Sequence, residues 1–511
     1  MSDSRWFCRL ALLAAVLLSL APTPHASAQE VDEDLVAQLM GRMSSAAKVG
    51  QLFVVTFPGV DVDEEAAITA LLRDYQIGGV LLRAENGNID NDGDTPTQVA
   101  TLVSDLQQAT WDALRAEGGS PTSPYIPLFV AVDHEGNGMP FTAIVSGTTP
   151  IPSQMAIGAT WNDEYADAVG QVVGHELRAM GINMLLGPSL DVLDTPLPGS
   201  AGDLGVRTFG GEPYGVGRMG QAYIGGVHEG SAGRVAVIAK HFPGLGASDR
   251  SLDEEAPTVQ RTLAELREVD LPPFFAVAQA EDPGERADGF LVSHIRFRGV
   301  VATRPASVDS QVLRELLDQP ELADWREDGG VTVSDELGLR ALRRFYAPNE
   351  ESFNARRIAR EAFLAGNDLL LLSQFALSAD WDDQLENAGS TIEFFVQKYE
   401  DEPSFRALVD EAVARVLRLK LDLYGGTLTL SAARPDTEAV ADEVGSRQEV
   451  WAELGRGAVT ILSPPSADLA PAPPAAGDNI VIFTDAREDQ PCSTCEAVPY
   501  IDPTALARVM V

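Results

Sequence analysis

Eight short apolar runs, each four to ten residues long and rich in Val, Leu and Ile, recur along the chain. They do not alternate apolar with polar residues, which is typical of strands that are buried on both faces. The segments between them carry the apolar spacing of amphipathic helices. The predicted strands are 49–57, 77–82, 126–132, 183–192, 235–239, 289–292, 330–333 and 368–372, and the clearest predicted helices are 163–180, 214–229, 262–280 and 352–365.

This alternation of strands and helices predicts βα units and a parallel sheet, so the fold class is α/β. Eight such units favour a (β/α)₈ barrel of the TIM type, and a doubly wound sheet is the alternative, because a strand count does not show closure. We expect the barrel domain to span 29–426, a linker to span 427–446, and a partial or short second α/β domain to span 447–511. In that second domain we expect a helix at 448–456 and strands at 458–462 and 479–484.

Polar and charged residues follow five of the predicted strands directly. The carboxyl ends of parallel barrel strands lie on one face, where barrel enzymes have their active sites. One such residue is usually a solvated loop residue, but five groups at the same end of their strands predict a functional site. The groups are Asp133-His134-Glu135, Asp191, Lys240-His241, Ser293-His294 and Ser334-Asp335-Glu336.

The first 28 residues read as a secretory signal peptide. Arg5 and Arg9 precede an apolar run at 10–21, and Ala26-Ser27-Ala28 matches a small-residue cleavage site. The run is too short to span a bilayer. The sequence therefore predicts export, with a secreted, periplasmic or cell-surface location and no membrane span after the signal is removed.

The formal net charge of −39 disfavours binding to nucleic acids, because a strongly negative protein repels phosphate backbones. We therefore expect no nucleic-acid partner. After the signal peptide the chain keeps two cysteines, Cys492 and Cys495, whose spacing fits a local disulfide or half of a zinc site. No further ligand cluster and no phosphate-binding glycine loop is visible, so no metal and no organic cofactor is expected.

Four motifs together resemble glycoside hydrolase family 3, in the family's order and spacing over roughly 38–425. Lys240-His241-Phe242-Pro243-Gly244 looks most like the β-N-acetylhexosaminidase branch of that family. The other three motifs are Val132-Asp133-His134-Glu135-Gly136, Gly205-Val206-Arg207-Thr208-Phe209-Gly210 and Val333-Ser334-Asp335-Glu336-Leu337. The stretch 137–141 lacks the arginines of the hexosaminidase branch, which weakens the assignment to acetamido sugars.

The resemblance implies that Asp335 is the nucleophile of a retaining glycosidase, with helix capping as the structural alternative. It also implies that Asp133, Arg207, Lys240 and His241 bind the non-reducing sugar. His294 is predicted to contact either the sugar or the loop of the nucleophile, and a buried core histidine is the alternative. We expect the side chain of Glu336 to point away from the site and that of Asp191 to stabilise its own loop.

The general acid/base departs from the family pattern. In the hexosaminidase branch an Asp–His dyad follows the Lys-His-Phe-Pro-Gly motif, but here an ungapped alignment places Ser251 and Asp253 at those positions. Asp253 or Glu254 then acts as the acid, or a glutamate of the second domain does, or the acid is lost. The structural alternative for residues 253–255 is an acidic loop that is exposed to solvent and has no role in catalysis.

These observations predict an exported retaining β-glycosidase that removes terminal β-linked sugars from a carbohydrate substrate, resembling β-N-acetylhexosaminidases. The alternatives are a β-glucosidase or β-xylosidase with an acid from the second domain, and a catalytically impaired carbohydrate-binding homologue. A metal-dependent hydrolase that uses Asp133, His134 and His241 is a further alternative, and it predicts inhibition by chelators.

Overall fold

The computed structural model describes residues 33–115, 123–138, 141–197, 200–298, 304–447 and 451–460, together with 488–489, 498–499 and 504. The predicted signal peptide and the two cysteines near the C-terminus lie outside these residues. Among the helices that are described, none is long and apolar enough to cross a bilayer.

Eight parallel strands form one sheet in the order β10-β1-β2-β3-β4-β5-β7-β9. A parallel bridge between Val333 and Leu369 joins its two ends, so the sheet closes into a barrel. The predicted (β/α)₈ barrel is confirmed, and each of the eight apolar runs overlaps one of its strands. The strands are β1 (Phe53–Val55), β2 (Gly79–Leu81), β3 (Phe129–Asp133), β4 (Met184–Ser189), β5 (Ala236–Phe242), β7 (Gly289–Val292), β9 (Val331–Ser334) and β10 (Leu370–Leu372), and a separate parallel pair is formed by β6 (Thr258–Val259) and β8 (Arg296–Phe297).

Helices cover the outside of the barrel, and several of them begin at side-chain caps. Glu212 accepts hydrogen bonds from the first turn of α7, and Asp309 does the same for α10. The helices are α1 (Glu33–Arg42), α2 (Ser45–Gly50), α3 (Ala67–Tyr75), α4 (Thr95–Ala113), α5 (Gln154–Gly158), α6 (Asp163–Ala179), α7 (Pro213–Ser231), α8 (Leu263–Glu268), α9 (Pro272–Ala278), α10 (Ser310–Leu317), α11 (Pro320–Glu327), α12 (Arg340–Tyr346), α13 (Ala355–Ala365), α14 (Trp381–Asp401), α15 (Pro403–Leu423), α16 (Leu430–Ala433), α17 (Val440–Glu443) and α18 (Trp451–Ala458).

Two predicted elements are divided in the structure. The predicted helix 262–280 is two helices, α8 and α9, because Pro272 and Pro273 lack the amide hydrogens that a continuous helix needs. The predicted strand 49–57 begins inside α2, and only Phe53–Val55 pairs in the barrel. Apolar content alone does not separate a buried helical turn from a buried strand.

The core has two layers. One lies between the strands and the surrounding helices, and the other fills the barrel with residues such as Phe129, Met184 and Ile238. Side chains of α15, including Val416, Leu419 and Leu423, belong to the inner layer. The interior is therefore packed, and the open end of the barrel is the face where the strands finish.

The segment predicted as a linker packs on the barrel. Helices α16 and α17 contact α4, and Val440 is 1% exposed. The amide of Gly445 donates to Oε1 of Glu176 at 2.9 Å, which fixes the end of this segment. Residues 451–456 of the predicted helix 448–456 lie in α18, whereas residues 448–450 and the predicted strand 479–484 lie outside the described residues. Residues 459–460 of the predicted strand 458–462 are not in a strand, and residues 461–462 lie outside the described part.

Candidate active site

A cavity of about 170 Å³ opens at the carboxyl ends of the barrel strands. Its wall is built by the residues that end the strands or follow them, as expected for a barrel enzyme. It includes six of the seven predicted site residues, the exception being His294. The charged and imidazole side chains of the wall are Arg83, Glu85, Asp133, Glu135, Asp203, Arg207, Lys240, His241, Arg250, Asp253, Asp335 and Glu336.

Asp335 follows β9 directly, and its side chain enters this cavity. Both carboxylate oxygens are oriented by neighbouring donors: the amide of Glu336 donates to Oδ1 at 2.9 Å, and the hydroxyl of Ser293 donates to Oδ2 at 3.3 Å. Asp335 is 7% exposed. A carboxylate that is shielded from bulk water and fixed at both oxygens is suited to nucleophilic attack on a bound substrate.

A chain of ion pairs connects three of the strand-end loops. Nζ of Lys240 lies 2.6 Å from Oδ1 of Asp133 and 2.6 Å from Oε1 of Glu135. Arg207 holds the same Glu135 through two parallel hydrogen bonds of 2.7 and 2.8 Å, and its guanidinium stacks on the ring of Phe141. The loops that follow β3, β4 and β5 are thereby joined at one side of the cavity.

These contacts determine the charges of the group. Burial favours neutral Lys240, but the carboxylates of Asp133 and Glu135 outweigh it and raise the pKa of Lys240 above its ordinary value. Burial likewise opposes ionisation of Glu135, yet Arg207 and Lys240 hold the pKa of Glu135 well below its usual range. Both shifts favour the charged forms of Lys240 and Glu135, and the group offers carboxylate acceptors and cationic donors for sugar hydroxyls.

His241 is oriented by Asp191 at the floor of the cavity. Nδ1 of the histidine lies 2.6 Å from Oδ2 of Asp191, whose Oδ1 accepts the amide of Leu245 at 2.5 Å. Asp191 is fully buried and does not line the cavity. It therefore braces the loop, as the sequence predicts, and it leaves Nε2 of His241 for a ligand.

His294 occupies a different place from the predicted sugar contact. It is fully buried and absent from the cavity wall. Its Nδ1 lies 2.7 Å from the hydroxyl of Ser307, and its Nε2 lies 2.9 Å from the carbonyl oxygen of Glu336. The structure thus places His294 at the loop of the nucleophile and not at the cavity, because Nε2 contacts that loop and Nδ1 is taken by Ser307.

Glu336 and Arg83 differ from the expectations drawn from the sequence. Glu336 was expected to point away from the site, and Arg83 was not predicted as a site residue. Glu336 lines the cavity instead of pointing away from it, and its carboxylate pairs with the guanidinium of Arg83, which also pairs with Glu85. Burial raises the pKa of Glu336, and Arg83 opposes that effect. Arg83 follows the second apolar run, so the rule that singled out the other strand ends also applies to it.

The loop in which the general acid is expected contributes four successive residues to the cavity wall: Arg250, Ser251, Leu252 and Asp253. Glu254 is exposed and does not line the cavity. Ser251 accepts a hydrogen bond from the backbone amide of Asp253 at 3.1 Å, so the pair differs from a dyad of two side chains. Of the two predicted acids, Asp253 is the one placed at the cavity.

His134 does not share the cavity with its neighbours Asp133 and Glu135. It is 3% exposed, and burial lowers its pKa to about 4. Within the described ranges no group of three His, Cys, Asp or Glu side chains is placed to hold a metal ion. The metal-dependent alternative, which needs His134 beside Asp133 and His241, therefore has no support from this geometry.

Comparisons with known proteins agree with this architecture. The sequence model described as "Glycosyl hydrolase family 3 N terminal domain" matches residues 45–419. The chain is 29% identical over 319 residues to "Beta-hexosaminidase A" of Pseudoalteromonas piscicida, a match that covers 60% of this chain and 47% of the relative. It is 31% identical over 272 residues to "Beta-hexosaminidase" of Thiobacillus denitrificans, which covers 52% of this chain and 65% of the relative. The chain therefore spans between about half and two thirds of the length of these two relatives.

Two solved structures of family 3 enzymes are also similar to this chain. The family 3 β-N-acetylglucosaminidase from Paenibacillus sp. aligns with a TM-score of 0.60 at 27% identity, over 79% of this chain and 69% of that one. The β-N-acetylhexosaminidase from Beutenbergia cavernae aligns with a TM-score of 0.58 at 26% identity, over 74% of this chain and 98% of that one. The family match covers most of the chain, the barrel is the one that these relatives share, and the chain belongs to glycosyl hydrolase family 3.

Proposed function

We propose that this chain is an exported retaining β-glycosidase that removes terminal β-linked sugars through a covalent intermediate on Asp335. The observation that carries the proposal is the placement of Asp335: a carboxylate at the end of β9, oriented at both oxygens, in a cavity whose opposite elements carry charged sugar-binding groups. A retaining mechanism needs such a carboxylate beside the anomeric carbon.

The reaction proceeds in two steps. In the first, an oxygen of Asp335 attacks the anomeric carbon, the bond to the leaving oxygen breaks, and the carboxyl group of Asp253 protonates that oxygen. In the second, the Asp253 carboxylate takes a proton from water while the water oxygen attacks the anomeric carbon and releases Asp335. The Lys240–Asp133–Glu135–Arg207 group and Nε2 of His241 hold the sugar in place.

We propose a terminal N-acetylhexosamine as the preferred sugar. The Lys-His-Phe-Pro-Gly motif supports this preference, and so does the similarity to the two β-hexosaminidases described above. A β-glucosidase or β-xylosidase activity is the second candidate. It is favoured by the absent loop histidine and by the relative from Cellulomonas fimi, 27% identical over 440 residues, whose name is "Beta-N-acetylglucosaminidase/beta-glucosidase".

Hydrolysis of activated aryl β-glycosides tests the proposal directly. The N-acetylglucosaminide, glucoside and xyloside are compared, with Asp335→Asn beside the wild type. We expect one sugar to be preferred and turnover to fall by at least about 10³-fold in Asp335→Asn, because the amide is a poor nucleophile. The matched control is Asp163→Asn, which removes a surface carboxylate that pairs with Arg218. Hydrolysis that persists in Asp335→Asn would overturn the proposed mechanism.

Export is tested separately. Expression with residues 1–28 intact should yield a secreted product whose N-terminal residue is Gln29, as read by mass spectrometry. A product that keeps its first residues inside the cell would contradict this part of the proposal.

A further inference from the structure

Three contacts of Glu336 bear on the position of the nucleophile Asp335, and we infer that Glu336 is the positioning residue for it. Its carboxylate pairs with Arg83, its carbonyl oxygen lies 2.9 Å from Nε2 of His294, and its amide donates to Oδ1 of Asp335 at 2.9 Å. The third contact is the one that touches the nucleophile. The first two fix where that amide points.

The contact with Arg83 joins two strand ends that are not neighbours in the barrel. Arg83 follows β2 and Glu336 follows β9, and the two strands are separated in the sheet by β1 and β10. The exposed fractions of the two side chains are 14% and 13%, so bulk water screens the pair weakly. Arg83 also holds Glu85 with its Nε, which fixes the guanidinium plane. The side chain of Glu336 is therefore anchored to a rigid strand end rather than to its own loop.

The contact with His294 holds the backbone carbonyl group of Glu336. A carbonyl oxygen only accepts hydrogen bonds, so Nε2 of His294 carries the proton and donates it. Nδ1 then accepts from the hydroxyl of Ser307 at 2.7 Å. Because the ring is fully buried, this orientation has no competition from solvent. The neighbouring Ser293 donates to Oδ2 of Asp335. The loop after β7 therefore contacts the nucleophile through Ser293 and the next residue, Glu336, through His294.

The consequence concerns the rate of attack rather than the binding of sugar. A nucleophile that is misplaced by a fraction of an ångström loses rate steeply, whereas the direct contacts of Lys240 with Asp133 and Glu135 do not involve Glu336. Loss of the carboxylate of Glu336 frees its side chain from Arg83 and lets the amide turn away from Asp335. The formation of the glycosyl-enzyme then slows while the KM stays nearly constant.

This inference rests on the proposed function, and the test separates the two. The full chain is treated with an activated 5-fluoro β-glycoside of the preferred sugar, which leaves the substituent at C2 in place, and the rate of covalent trapping on Asp335 is followed by mass spectrometry. In Glu336→Gln and in Arg83→Met we expect trapping to slow by about 10- to 100-fold, with a KM within about threefold of the wild type. The double variant should be no slower than the slower single variant, because both substitutions break one contact.

Two further variants guard against a merely structural effect. Glu361→Gln is the matched control, because it removes a glutamate that pairs with Arg304 away from the cavity, and it should trap at the wild-type rate. Arg83→Lys keeps the charge and should recover part of the rate lost in Arg83→Met, even if Glu336→Gln fails to fold. Trapping at the wild-type rate in Arg83→Met or Glu336→Gln overturns the inference alone. A wild-type protein that traps no label and hydrolyses no aryl glycoside overturns the proposed function, and the inference with it.

Discussion

The Oδ2 atom of Asp191 lies 2.6 Å from Nδ1 of His241, and this buried contact determines which ring nitrogen faces the cavity. Burial opposes ionisation of Asp191, but His241 and the donors around the carboxylate lower the pKa of Asp191 below its ordinary value. A carboxylate is a pure acceptor, so Nδ1 carries a proton. In the neutral tautomer Nε2 is then free to accept from a sugar hydroxyl.

Asp191→Asn should weaken sugar binding through this contact. The amide can present a donor to Nδ1 and so allow the other tautomer, and it also weakens the bond from Leu245. We expect kcat/KM for the preferred aryl glycoside to fall by about 10- to 100-fold. The control is Asp288→Asn, since Asp288 holds His228 at 2.9 Å away from the cavity. Equal losses in the two variants would mean that the contact only stabilises the fold.

Asp253→Ala tests the proposed acid by its dependence on the leaving group. Departure of an activated aryl oxygen needs little protonation, whereas departure of a sugar hydroxyl needs a full proton. We expect kcat/KM, which reports the first step, to change by less than about tenfold for an activated aryl glycoside and to fall by about 10²- to 10⁴-fold for a disaccharide. Glu254→Ala is the matched control, because Glu254 is exposed and lies outside the cavity wall. An equal loss on both substrates would argue against Asp253 as the acid.

Anionic sugars should be poor substrates because the cations of the cavity wall are already engaged by carboxylates. Arg83 pairs with two glutamates, Lys240 with Asp133 and Glu135, and Arg207 with Glu135. The remaining guanidinium of the described wall, that of Arg250, pairs with Asp249 and Glu255. A substrate carboxylate meets a surplus of acidic groups and gains no new ion pair.

The expected result is a kcat/KM for an aryl β-glucuronide at least about 100-fold below that of the matching glucoside. The difference should shrink as salt is added, because screening weakens the repulsion. Comparable rates for the two glycosides at low salt would show that an arginine of the wall exchanges its partner for the substrate.

The barrel could be predicted because each of its strands overlaps an apolar run, and these runs alternate with segments of helical spacing. The strand-end rule also placed Asp133, Lys240 and Asp335 at one cavity, since parallel strands must end on one face. The direction of a side chain beyond a strand end was not predictable in this way. His294 and His241 follow their strands in similar sequence positions, yet one is buried under a loop and the other lines the cavity. The difference arises from Ser307 and Asp191, whose proximity is a tertiary property.

Acid destabilisation offers a test at His134, whose burial lowers its pKa to about 4. In the unfolded chain the imidazole has its ordinary pKa of about 6.5, so between these values the unfolded state binds a proton that the folded state does not bind. The free energy of unfolding that depends on His134 is therefore fully present above about pH 6.5 and is lost as the pH falls towards about 4, by about 3 kcal/mol in total.

His134→Gln removes this titration and keeps a polar side chain of similar size. Urea unfolding of both proteins gives the free energy of unfolding at several pH values between about 7 and about 4. Carboxyl groups such as Asp270, whose pKa burial raises to about 7, change the stability of both proteins in the same way and cancel in the difference. The wild type should lose about 3 kcal/mol relative to the variant across this range, whatever the variant's stability at neutral pH. A difference that stays constant with pH would mean that the folded state protonates His134 as readily as the unfolded state does, and therefore that the imidazole reaches solvent.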